Sequence, residues 1–141
     1  MEYVTLMGIL GICSVEDIRS RQIRTVVVGI AGTMGVLWHL MKVRLQIWDV
    51  MAGMLVGVFV YLLSILTREK IGKGDALVFM VTGIYLGLWN NLLLLWISSM
   101  IAAVVAGIMV VFFHKKKTDT LPFVPCIFVG EILLLLLTGG V

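Results

Sequence analysis

The chain has 141 residues, 61% of them hydrophobic and 13% charged, with a net charge of +3 and a mean hydropathy of +1.13. A soluble domain of this length cannot hide so much apolar surface, so the expected solvent is lipid. The polar interruptions are short and leave no room for a separate soluble domain, so residues 1–141 read as one integral-membrane domain. Two cysteines, Cys13 and Cys126, are too few for a disulfide framework, and there is no Cys-x-x-Cys for zinc or redox chemistry. Each reads as a small hydrophobe in an apolar run.

In chain order there are six apolar stretches, Tyr3–Val15, Ile23–Leu40, Ile47–Leu66, Ala76–Trp89, Leu92–Phe113 and Leu121–Thr138. The first, "MEYVTLMGILGICSV", lacks a basic leader region and a small-residue cleavage site, so it is expected to remain as a helix. A spanning segment must satisfy its own backbone hydrogen bonds, which predicts helices of about 20 residues. The first and fourth stretches are short and must borrow flanking polar residues: Glu16 and Asp17 for the first, Gly74 and Asp75 for the fourth. The expected fold is all-α, a polytopic and compact six-transmembrane-helix bundle.

Basic residues set the expected orientation. The first connection holds Arg19, Arg21 and Arg24, the third Arg68, Lys70 and Lys73, and the fifth Lys115, Lys116 and Lys117. The second holds Lys42 and Arg44, and the fourth is the uncharged pair Asn90–Asn91. The odd connections carry nine of the eleven Lys and Arg, which predicts that they are cytoplasmic and that both termini lie outside. The lysine run is thereby a topology signal, and nothing in the sequence points to nucleic acid. Asp17 and Asp75 fall at the cytoplasmic ends of the first and fourth helices, in one leaflet and at one depth.

Taken alone, "GKGD" (72–75) reads as a turn in which Asp75 caps a helix N-terminus. It is no Walker A loop, because Thr67 stands where that motif needs glycine and Gly74 where it needs Ser or Thr. Asp17 alone reads as a solvated charge paired with Arg21 one turn on. Together, at membrane depth, they read as a functional pair. Two close carboxylates share one proton; the ionised member activates water and the protonated member polarises a peptide carbonyl. Gly72 and Gly74, beside Asp75, leave room for an extended substrate backbone.

Other chemistries lack their residues. His39 and His114 belong to no His-Glu-x-x-His motif, and no Gly-x-Ser-x-Gly is present. Both histidines read as interfacial, and Ser98 and Ser99 as packing or hydrogen-bonding groups. No set of His, Cys and acid stands at ligand spacing, so neither metal nor cofactor is expected. Glu131, in "CIFVGEILLLLL", reads either as a protonated acid hydrogen-bonded to a neighbouring helix or as a group for proton handling, cation handling or substrate recognition.

Three landmarks in order, spanning nearly the whole chain, resemble the type IV prepilin peptidases, membrane aspartic proteases that process pilin and pseudopilin precursors. "EDIRSRQIRT" resembles the stretch whose catalytic aspartate precedes an Ile-Pro-Asn-like segment by six residues, which would make Asp17 the first catalytic residue. "GKGDALVFMVTGIYLG" resembles the Gly-x-Gly-Asp segment, which would make Asp75 the second. "LPFVPCIFVG" resembles the Pro-Phe-x-Pro opening of the last helix, carried by Pro122, Phe123 and Pro125 with Gly130. Arg24 and Thr25 replace the expected Pro-Asn, which alters the loop and spares the aspartate. Presenilin-type proteases share Gly-x-Gly-Asp, but a tyrosine precedes their other aspartate, where this chain has Glu16.

The resemblance implies an endopeptidase in the cytoplasmic membrane, cutting at the cytoplasmic face just before a precursor's apolar N-terminal helix. Its partners would be pilin-like precursors and membrane lipid. Glu16 and Glu69 are expected to attract the basic leader, with Lys73 in the same loop region and Glu131 in a supporting place. The N-terminal region with two Cys-x-x-Cys pairs found in larger members is absent from this sequence, which leaves N-methylation without its usual counterpart. The other function classes open at this point are a small proton-coupled transporter or channel and an inactive membrane scaffold. The sequence leaves the oligomeric state open.

Overall fold

The computed structural model describes residues 2–20, 25–42, 46–66, 72–113 and 122–139. They form five helices: α1 Glu2–Ser20, α2 Thr25–Lys42, α3 Ile47–Leu66, α4 Lys73–Phe113 and α5 Val124–Thr138. There is no strand among them, as the hydropathy pattern predicts. α3 and α4 are long and apolar enough to cross a membrane, while 25–39 and α5 are shorter apolar helices. Large apolar side chains such as Ile12, Ile30, Leu55, Trp96 and Leu136 point outward. Such a surface is costly in water and free of cost in lipid. Most of the basic residues that set the expected orientation, together with Glu69, lie outside the described residues.

α4 is two helical segments. Its 41 residues would reach about 61 Å if straight, twice a hydrocarbon core. The helix breaks at Gly87, whose φ of 70° and ψ of −172° suit glycine and almost nothing else. The chain then folds back. Asn91 Nδ2 donates to the Phe79 carbonyl at 3.0 Å, although a straight helix would hold these residues about 18 Å apart. The segments 73–86 and 88–113 replace the fourth and fifth apolar stretches expected from hydropathy. The reversal is therefore three residues earlier than the expected connection at Asn90–Asn91. Asn91 is fully buried instead of lying in a loop. Its Nδ2 also donates to Gly53 O at 2.9 Å, and the Thr82 hydroxyl donates to its Oδ1 at 2.7 Å. A buried amide with these partners holds both segments and α3 together.

The first segment of α4 is the centre of the molecule. Its residues Ala76, Val78, Phe79, Val81, Thr82, Ile84, Tyr85 and Leu86 are all buried. α3 meets it backbone to backbone, because a Cβ at Gly53 or Gly83 would collide with the other's main chain. α2 is tied to it by the Tyr85 hydroxyl, which donates to Ala31 O at 2.9 Å, and by His39 Nε2, which donates to the Ile84 carbonyl. His39 thus has a structural partner within the bundle. α1 packs chiefly on α5 and only lightly on α4, while α5 packs on both.

Candidate active site

Leu6, Leu10, Cys13 and Asp17 are buried at successive steps of four, three and four residues. That spacing draws one stripe along α1, so the helical repeat carries the Asp17 carboxylate inward with its apolar neighbours. There it meets the N-terminus of α5. Phe123 is the N-cap residue of that helix and has no side-chain cap of its own. Pro125 carries no N–H, and the Cys126 N–H turns back to Phe123 O at 2.9 Å. The Val124 N–H is left as a free donor, and Asp17 Oδ2 accepts from it at 3.2 Å. Asp17 therefore caps a helix 107 residues further along the chain.

Asp75 is the third residue of α4 and not its cap. Gly72 stands at the cap position, and the Asp75 N–H donates to Gly72 O at 3.1 Å. The carboxylate leans back over that glycine: a Cβ there would lie 2.9 Å from Asp75 Oδ2. An acid at this position reaches back to the N–H of the cap residue, and Asp75 accepts from the Gly72 N–H. Asp75 is half-buried, whereas Gly72 and Lys73 are exposed, so the carboxylate stands at the rim of the bundle.

The two aspartates are brought within electrostatic reach of each other, and the charges of both reach the buried thiol of Cys126. Two helix N-termini, those of α4 and α5, point their positive ends at this place and offset part of the mutual repulsion. Next to it the rings of Phe79 and Phe123 meet with centroids 6.2 Å apart and planes at 48°. A pair of carboxylates in this setting has the elements of general acid and base chemistry: one to accept a proton, one to donate it. Among the described residues no group of three His, Cys, Asp or Glu side chains could hold a metal ion.

The remaining residues singled out in the sequence fall in several places. Pro122, Phe123 and Pro125 open α5 beside Asp17, and Gly72, Lys73 and Gly74 surround Asp75. Glu16 precedes Asp17 on α1, is half-buried, and its carbonyl accepts from the Ser20 hydroxyl at 2.8 Å. Arg21, the sequence-expected partner of Asp17, lies outside the described residues. Glu131 is not brought to the pair. It lies seven residues into α5 from Val124, about 10 Å along the axis. It is fully buried, and neither carboxyl oxygen has a hydrogen-bond partner among the described residues. The neighbouring Gly130 admits the buried Ser98 hydroxyl, which a Cβ would approach to 2.7 Å. Sequence reasoning missed Val124, Phe79 and Cys126 as neighbours of the aspartates. The available signal was Pro125, which strips one donor from the start of α5 and leaves the one before it to be capped.

Comparison with curated proteins and with solved structures gives no match. The type IV leader peptidase family matches residues 4–108, a stretch that contains both Asp17 and Asp75 and ends before Pro122. The match covers well over half of the sequence, and the chain belongs to the type IV leader peptidase family.

Proposed function

We propose that this protein is a membrane-embedded aspartic endopeptidase that removes the short basic leader of pilin-like precursors at the cytoplasmic face of the membrane. One observation carries the reading. Asp17 caps the N-terminus of α5, and Asp75, 58 residues away in sequence and at the N-terminus of α4, lies within electrostatic reach of it. A pair that only capped two helices would have no reason to share one place.

The ionised carboxylate takes a proton from a water, and the water oxygen bonds to the scissile carbonyl carbon. The protonated carboxyl gives its proton to the carbonyl oxygen, forming a tetrahedral diol. Collapse returns the diol proton to the second carboxylate and breaks the C–N bond. The departing nitrogen takes the proton held by the first. The half-buried position of Asp75 suits a substrate that arrives along the bilayer and exposes its leader to water. Gly72 and Gly74 leave space for its backbone, Glu16 and Glu69 attract the basic leader, and Lys73 borders the same entrance. Pro122, Phe123 and Pro125 hold the start of α5 against Asp17, and Glu131 supports the site from within α5. Six crossings with both termini outside, the topology expected from the basic residues, would put this site at the cytoplasmic membrane face.

Co-expression with a pilin-like precursor tests the reading. A shortened precursor on a gel, cut before its apolar helix, is the expected result. Ion flux with an uncut precursor would identify a transporter or channel instead. The absence of both cleavage and flux would point to an inactive scaffold.

A further inference from the structure

If Asp17 and Asp75 act as a pair, their separation must be held to within a fraction of an ångström. The helices that carry them do not provide this directly, since α1 packs only lightly on α4. The connection runs through α5. On one side, Asp17 Oδ2 accepts from the Val124 N–H. On the other, the ring of Phe123, the residue just before Val124, rests on the ring of Phe79. Phe79 is fully buried and lies four residues after Asp75, on the same face of α4. Its carbonyl is pinned by Asn91 Nδ2, which also holds Gly53 of α3. Thr82 donates to Asn91 Oδ1 and so fixes which way that amide points.

We propose that Phe79 and Phe123 are positioning residues: their ring contact is the joint that sets the distance between the Asp17 and Asp75 carboxylates. The proposal rests on the aspartic peptidase reading and adds to it a pair of side chains that act through the carboxylates they position. Asn91 anchors the joint to α3 and the second segment of α4. Shortening either ring loosens the spacing of the carboxylates without removing any group that binds a precursor.

The experiment uses the full chain in detergent or liposomes with a purified pilin-like precursor. Phe79→Leu and Phe123→Leu are each expected to lower kcat by about 100-fold, the scale of a misplacement near 1 Å. KM should stay within about two-fold, because ground-state binding is untouched. The double variant should be no worse than the poorer single one, since both break the same joint. Leu86→Ala, a buried change at the far end of the same segment, should keep kcat near the wild-type value. A second readout is independent of turnover. Cysteines placed at 17 and 75, with Cys13→Ala and Cys126→Ala, should cross-link through short reagents, and Phe79→Leu should reduce that yield. If Phe79→Leu does not accumulate, the half-buried Phe123→Leu carries both measurements. Unchanged kcat and unchanged cross-linking in the ring variants overturn the proposal, as does an equal loss of kcat in Leu86→Ala. A wild-type chain that cuts no precursor refutes the peptidase reading, while the cross-linking comparison still decides whether the rings set the spacing.

Discussion

At the scale of single residues, Asp17 carries two duties that substitution can separate. Its Oδ2 caps α5 through the Val124 N–H, and its charge belongs to the pair with Asp75. Asparagine keeps an oxygen acceptor but has no acid to titrate. Asp17→Asn should therefore melt close to the wild type and fail to cut, whereas Asp17→Ala should also lose about 1 kcal/mol from the orphaned N–H. Thermal unfolding in one detergent, read beside cleavage, checks both; equal stability of the two variants would show that the cap contributes nothing. Glu131 gives the opposite balance. A fully buried carboxyl with no hydrogen-bond partner among the described residues costs stability, and a leucine of similar bulk does not. Glu131→Leu should raise stability by about 1–3 kcal/mol and slow cleavage, the pattern of a group kept for function. A variant that melts lower than wild type would mean that Glu131 has a partner which stabilises the fold.

At the scale of elements, the reversal in α4 decides where Asp75 sits. The first segment, 73–86, is short and buried along most of its length, and the second returns beside α3 and α5. Gly87 makes this possible, because its backbone angles are open to glycine and strained for any residue with a Cβ. Gly87→Ala should cost about 1–3 kcal/mol and disturb the Asn91 bonds to Phe79 and Gly53. The check is a melting curve together with the cleavage rate; unchanged values in both would mean that the reversal does not depend on this residue. The sequence pattern misplaces the reversal for a physical reason. Asn90–Asn91 is the obvious polar interruption, and polarity alone suggests water. The amide of Asn91 finds its partners inside the bundle, in carbonyls that only the folded-back chain brings near. Nothing local distinguishes an asparagine facing water from one facing carbonyls.

At the scale of the whole molecule, the helical class, the apolar outward surface and the two aspartates are legible in the amino-acid sequence. Asp17 falls on the repeat of Leu6, Leu10 and Cys13, so its inward direction follows from helical geometry. Asp75 follows a glycine turn at the head of an apolar run. Their coming within electrostatic reach is a matter of depth and face, which basic-residue counting supplies only coarsely. The link that α5 makes between their helices is not legible. It uses a backbone N–H at Val124 and a ring contact between Phe79 and Phe123, and neither leaves a polar mark in the sequence. α5 thereby joins two helices that touch each other little.

The central claim is that Asp17 and Asp75 together cut a peptide bond. The most direct measurement is cleavage of a purified pilin-like precursor by the purified chain, compared with Asp17→Asn, Asp75→Asn and the double variant, each with and without a chelator. The expected result is cutting by the wild type that a chelator leaves intact. Neither single variant should cut, and the double variant should be no worse than the singles because the two groups work as a unit. Full activity in Asp17→Asn or Asp75→Asn, or activity abolished by the chelator and restored by zinc, would contradict the claim.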